Sequence, residues 1–214
     1  MSNGDSGPSV PIKVNPGRVL LQISPYGAAV FICFLVTLGC FPAITLQVQS
    51  TLPKESAWSS TFYVPVACFL LFNVGDYLGR FLAGLIQWPK PGKVGSFITL
   101  FLSIARFVFK HIDYLVIIIL TFFRFVFIPL FLFCNIRPAE RGLTFVAFES
   151  DVAYIIIMLL FSLSNGYIGS ICMISGPQVV RGEEAQTAAG LMVALLGLGL
   201  GTGAFISNFM VKLI

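Results

Sequence analysis

Apolar residues along this chain come in long unbroken runs. The pattern is neither the strict alternation of a half-buried strand nor the one-sided stripe of a soluble helix. Five runs reach the roughly 20 residues that carry a helix across a bilayer. They occupy residues 23–46, 62–88, 114–134, 152–174 and 188–211. Helix-breaking residues punctuate them. Asn15-Pro16-Gly17 precedes the first run and Pro42 falls late within it, Pro65 stands near the start of the second, and Pro89 with Pro91-Gly92 closes it. Pro177 and Gly182 lie between the last two. Residues 1–22 read as a flexible tail, because Met1 to Pro16 is polar and rich in Gly, Pro and Ser, with no secretory signal. Residues 23–214 read as one bundle. The predicted fold class is an all-α membrane protein, a five-helix transmembrane bundle. A β-barrel would alternate along segments of about ten residues, which these do not.

One stretch complicates the count. Residues 94–110 are apolar but short, with Thr99, Ser103, Arg106 and Lys110 spaced by four, three and four. At 100° per residue they fall within about 60° of one another. The expectation is an interfacial helix lying on the inner leaflet. A short sixth span is the alternative, and it would invert everything after it. The tetrapeptide Arg-Phe-Val-Phe occurs at both 106–109 and 124–127, too short to count as a repeat.

Composition agrees with the pattern. Of 214 residues, 57% are apolar and 10% charged, where soluble domains sit near 45–50% and about 25%. The net charge of +4 therefore bears on orientation. Nothing gathers into the basic patch that nucleic acid requires. With five spans, Lys13, Arg18, Lys90, Lys93, Arg106, Lys110 and Arg181 share one side, and Lys54, Arg137, Arg141 and Lys212 the other. The positive-inside bias puts the N-terminus in the cytoplasm and the C-terminus outside. The five cysteines lie within or at the ends of apolar runs without CxxC or metal-ligand spacing, so they read as small apolar side chains.

Ionisable residues inside a span cost about 2.5–3.5 kcal/mol each, so each asks for a reason. In the second span Asp76 and Arg80 are one turn apart, acid first. Phe69, Asn73, Asp76, Arg80 and Gln87 share a face about 60° wide. That stripe is either a structural ion pair or a surface for a small solute rich in hydroxyls, such as a ribose. Arg124 stands mid-span in the third run, with Pro129 after it. It requires a partner, for which Asp151, Glu149 and the polar middle of the fourth span (Ser162, Ser164, Asn165, Gly166, Gly169, Ser170) are candidates. Gating or packing suits Arg124 better than substrate contact. Gly75 and Gly79, and Gly197, Gly199, Gly201 and Gly203, give GxxxG spacings for close helix packing. Enzymatic chemistry has little material. His111 is the only histidine, and there is no P-loop or GxGxxG. No cofactor or metal is expected.

The stretch Phe72-Asn73-Val74-Gly75-Asp76-Tyr77-Leu78-Gly79-Arg80 resembles the FN-x-x-D-x-x-GR signature of equilibrative nucleoside transporters. Phe41-Pro42-Ala43-Ile44-Thr45, Arg124 to Leu130, Cys134-Asn135-Ile136-Arg137-Pro138, Ser164-Asn165-Gly166-Tyr167 and Leu198 to Ala204 match further family motifs in the same order. The resemblance implies facilitated passage of nucleosides by alternating access between two helical bundles of major-facilitator-like architecture. It implies that the five spans are the last five of eleven, completed by a six-span N-terminal half, with the stretch after Trp88 longer than the family's usual loop. It also implies that Asp76 and Arg80 hold the ribose hydroxyls, with Asn73, Phe69, Phe41 and Leu200 around the same cavity. Arg124, Gly75, Gly79, Gly199 and Gly203 would be structural or gating residues. The expected partners are nucleosides and a lipid bilayer, with no nucleic acid and the plasma membrane as location. Two other readings are a non-transporting fragment that regulates full-length transporters, and proton-coupled symport.

Overall fold

The computed structural model describes residues 14–88, 114–136 and 146–213. The expected interfacial helix at 94–110, His111, and the loop charges Lys13, Arg137 and Arg141 lie outside the described residues. Within them, five helices are long and apolar enough to cross a membrane. We label them α1 (Pro16–Cys40), α2 (Trp58–Leu85), α3 (Tyr114–Leu132), α4 (Asp151–Ser175) and α5 (Ala185–Leu213). The chain is an all-α membrane bundle. Among the described residues only isolated bridges, Val48 with Ile136 and Cys134 with Phe148, interrupt that description.

Helix ends follow local chemistry. The helix α1 starts at Pro16, inside the stretch expected as tail, because Asn15 Oδ1 accepts from the backbone N–H groups of Gly17 and Arg18. Proline at the first helical position completes that cap, since its absent N–H is not missed there. At its other end α1 stops at Cys40, ahead of the cis Phe41-Pro42 bond, and a 3-10 turn at Thr45–Gln47 follows. The helix α2 begins before its expected start. Its first part, Trp58–Leu70, is wound as a π-helix around Pro65, and Leu71–Leu85 is regular α-helix. Proline removes an i→i−4 bond and crowds the preceding turn, so a wider winding at that point has a local cause. In α3 the same conflict, set up by Pro129, coincides with a tightened 3-10 turn at Arg124–Val126.

Two helix pairs organise the bundle. The first is α2 beside α4, running parallel: Gly75 faces Ser162, and Gly79 faces Leu163 and Tyr167. The second is α1 beside α5, also parallel, with Gly199 against Phe31 and Gly203 against Leu35. The helix α1 also packs antiparallel on α4, where Gly169 meets Phe34. Two apolar clusters result. One holds Cys40, Tyr63, Phe72, Phe127, Phe131, Tyr154 and Phe161, and the other holds Ile23, Val30, Ile117, Ile168, Cys172 and Met192. A polar layer made by Thr37, Arg124 and Asn165 lies between these clusters on α1, α3 and α4.

At the end of the bundle where α1 stops and α4 starts, a carboxylate ties the connector down. Asp151 accepts from Ser50 Oγ, from the backbone N–H and Oγ1 of Thr51, and from Trp58 Nε1 at 3.0 Å. One turn on, the Tyr154 hydroxyl donates to the Thr45 carbonyl at 3.2 Å.

Candidate functional site

The face of α2 that carries Asp76 and Arg80 sits where two glycines bring α4 close. A Cβ at Gly79 would stand 2.8 Å from Tyr167 N and 3.1 Å from Gly166 Cα, and one at Gly166 would stand 2.9 Å from Arg80 N. Only hydrogen fits at both positions, so the two backbones touch at the level of the charged pair. That approach lets the side chain of Asn165 reach across to α2.

Asp76 is held on both oxygens. Oδ2 accepts from Arg80 Nε at 2.7 Å, and Oδ1 accepts from Asn165 Nδ2 at 2.7 Å. The Asp76 side chain is 16% exposed and that of Arg80 50%, so the pair grades from interior to surface. Among the described residues Nε is the one Arg80 nitrogen that bonds, which leaves its two terminal nitrogens for a ligand. A guanidinium fork beside a fixed carboxylate is a donor–acceptor set suited to a pair of neighbouring hydroxyls.

Arg124 occupies the far side of the same network and is 1% exposed. Of the three expected partners the polar face of the fourth span is the one used. Nη1 donates to the Phe161 carbonyl at 3.1 Å and to Ser164 Oγ, and Nη2 donates to Thr37 Oγ1 at 2.9 Å and Asn165 Oδ1 at 3.5 Å. The guanidinium carbon lies 4.8 Å from the centre of the Phe161 ring, a favourable cation–π placement. Asp151 is engaged by the connector at the end of the bundle instead, and Glu149 is exposed. Among the described residues Arg124 Nε has no hydrogen-bond partner. A buried guanidinium with neutral partners is stabilised by several charge-assisted bonds, each contributing about 1.5–3 kcal/mol, against the insertion cost of about 2.5–3.5 kcal/mol.

The remaining sequence-predicted residues divide. Phe69, Phe41 and Phe72 come together: Phe41, turned sideways where α1 ends, stacks on Phe72 with centroids 3.9 Å apart and meets Phe69 edge-on at 5.8 Å. Asn73 is exposed and donates to the Phe69 carbonyl of its own helix at 2.8 Å. Gln87 is half-buried two residues past Leu85, where α2 ends short of the expected residue 88, so it does not extend the helical stripe. Leu200 packs against the second apolar cluster beside α1. Gly75, Gly79, Gly199 and Gly203 all line helix contacts, whereas Gly197 and Gly201 face open space. Thr37 was not anticipated. Its only sequence signal is a hydroxyl inside an apolar span, and such a hydroxyl ordinarily bonds its own helix, as it also does here to Cys33 O at 2.7 Å.

A model of the family described as nucleoside transporter matches residues 12–117 and 109–212. The chain belongs to the nucleoside transporter family. It is 39% identical to human equilibrative nucleoside transporter 1 over 88% of this chain and 36% of that protein. To rat equilibrative nucleoside transporter 2 it is 34% identical, over 94% of this chain and 39% of the relative. It is also 27% identical to equilibrative nucleotide transporter 8 of Arabidopsis thaliana, over 84% of this chain and 37% of that relative. The chain thus spans less than half the length of these relatives. Membership makes it a multi-pass integral membrane protein of a transporter family, and that family is not one of enzymes. The polar layer from Arg124 to Arg80 lies inside the matched residues.

Proposed function

We propose that this chain is the C-terminal part of a transporter that moves nucleosides down their gradient by alternating access, and that Asp76 and Arg80 hold the ribose hydroxyls. The observation that carries the reading is the Asp76–Arg80 pair. Its carboxylate is fixed from behind by Asn165, and its guanidinium opens onto a helix face that is otherwise apolar and exposed (Val74, Tyr77, Leu78 and Phe81). Phe69 and Phe41 supply an aromatic wall near the pair, and Asn73 extends the polar stripe. Leu200 enters only as a cavity border contributed from α5. The exposed α2 face is where a six-span N-terminal half seats. The nucleoside lies at the midplane between the two halves, in the manner of transporters whose halves rock about a central site. The charge distribution supports a cytoplasmic N-terminus and an extracellular C-terminus, and the plasma membrane is the proposed location.

The test is labelled-uridine uptake in cells without transporters of their own. Expressed alone, the chain is expected to insert and carry no uridine. Co-expressed with a six-span N-terminal half, it is expected to give saturable uptake. In that pair Arg80→Lys keeps the charge but loses the planar fork, so uptake is expected to fall with the protein still at the surface. Saturable uptake by the chain alone would refute the half-transporter reading. Unchanged affinity and rate in Arg80→Lys would reduce the pair to a structural one.

A further inference from the structure

Asn165 sits at the junction of the polar layer, and its amide is oriented by what surrounds it. Its oxygen accepts from Thr37 Oγ1 at 2.6 Å, from the Cys33 thiol at 3.5 Å and from Arg124 Nη2 at 3.5 Å. Three donors converge on one atom, so the amide nitrogen is left to point at Asp76, which it meets at 2.7 Å. A flipped amide would turn N–H groups toward three donors and an oxygen toward a carboxylate. The surroundings leave one orientation.

The hydroxyl of Thr37 has a single hydrogen and two acceptors in reach, Cys33 O and Asn165 Oδ1. Arg124 Nη2 donates into the Thr37 oxygen, which polarises that hydroxyl as a donor. Arg124 in turn is fixed on α4 by Ser164 and the Phe161 carbonyl.

We propose that Asn165, oriented by Thr37 and Arg124, is a positioning residue for the substrate site: it fixes one Asp76 oxygen so that the other, with Arg80, presents a set geometry to the ribose. This rests on the ribose-holding reading of Asp76 and Arg80. None of Asn165, Thr37 and Arg124 touches the substrate in this account. They act through Asp76, from helices α4, α1 and α3, and the exposed end of the chain of bonds is Arg80. The affinity of the site is therefore set partly by a hydroxyl on a different helix.

The experiment is uridine uptake by the chain co-expressed with a six-span N-terminal half, with KM and surface amount measured separately. Asn165→Asp keeps the shape but replaces the N–H that Asp76 accepts with a second carboxylate oxygen facing it. Its KM is expected to rise about tenfold or more, from the loss of one charge-assisted hydrogen bond and the like charge set against Asp76, with a smaller change in rate per molecule at the surface. Thr37→Val removes only the hydroxyl and is expected to raise KM about threefold, and Thr37→Ser to restore it. A structural role would lower surface amount without moving KM and without rescue by serine. Unchanged KM in both Asn165→Asp and Thr37→Val, with Asp76→Asn raising KM, overturns the positioning role and leaves the ribose reading standing. Unchanged KM in Asp76→Asn, or no uptake by the unaltered pair, overturns the ribose reading and this inference with it.

Discussion

The two parallel seams of this bundle use the same device for different ends. Between α1 and α5, Gly199 and Gly203 let the helix lie against the backbone at Phe31 and Leu35, with apolar surroundings throughout. Between α2 and α4, Gly75, Gly79 and Gly166 bring the backbones equally close, yet Asp76, Arg80 and Asn165 stand at the contact. Small residues in a membrane gain close van der Waals packing in both cases. Only the second seam converts that closeness into hydrogen-bond geometry. A shift of a few tenths of an ångström costs the first seam some packing. In the second it also pulls an amide away from a carboxylate.

Substitutions at the glycines separate these two consequences. Gly79→Ala is expected to have the largest effect, because the added methyl meets backbone atoms of Leu163, Tyr167 and Gly166 that cannot turn aside. Overpacking of this kind costs about 1–3 kcal/mol. It should appear as a lower unfolding temperature in detergent and, in the co-expressed pair, as loss of uridine uptake beyond the loss of protein. Next comes Gly203→Ala, whose methyl would lie 2.5 Å from the Leu35 carbonyl oxygen and 3.0 Å from Leu38 Cβ. A similar stability loss is expected, with uptake falling only in proportion to surface protein and KM unmoved. A KM shift there would mean that the α1–α5 seam also shapes the site. The smallest effect belongs to Gly201→Ala, which faces open space. Its stability should stay level or rise by up to about 1 kcal/mol, the helix-propensity gain of alanine over glycine, as thermal unfolding would show.

Much of this contrast is legible in the residues themselves. Runs of about 20 apolar residues announce the helices, and a carboxylate and a guanidinium one turn apart announce the charged face. The sequence does not say which of the overlapping glycine pairs on α5 meets α1. Gly197 with Gly201 and Gly199 with Gly203 have identical spacing, and the choice is made by the rotation of α5 about its axis. Arg124 is similar. Its burial demands a partner, but Asp151 and the middle of α4 satisfy that demand equally until the connector residues Ser50, Thr51 and Trp58 are seen to occupy Asp151. Thr37 is the hardest to foresee, since a threonine bonding its own helix looks the same in sequence as one that also orients a neighbour's amide.

The burial of every cysteine has a practical consequence. Cys33, Cys40, Cys68, Cys134 and Cys172 are all free thiols, and each is at most 1% exposed. A water-soluble alkylating reagent will therefore leave the folded chain unmarked. A cysteine introduced at an exposed connector position such as Lys54 would become the single reactive thiol, ready to carry a fluorophore or spin label without first stripping the native ones. Slow alkylation of Cys33, whose thiol donates into the Asn165 amide, would then mark the molecules in which the centre of the bundle has opened to solvent.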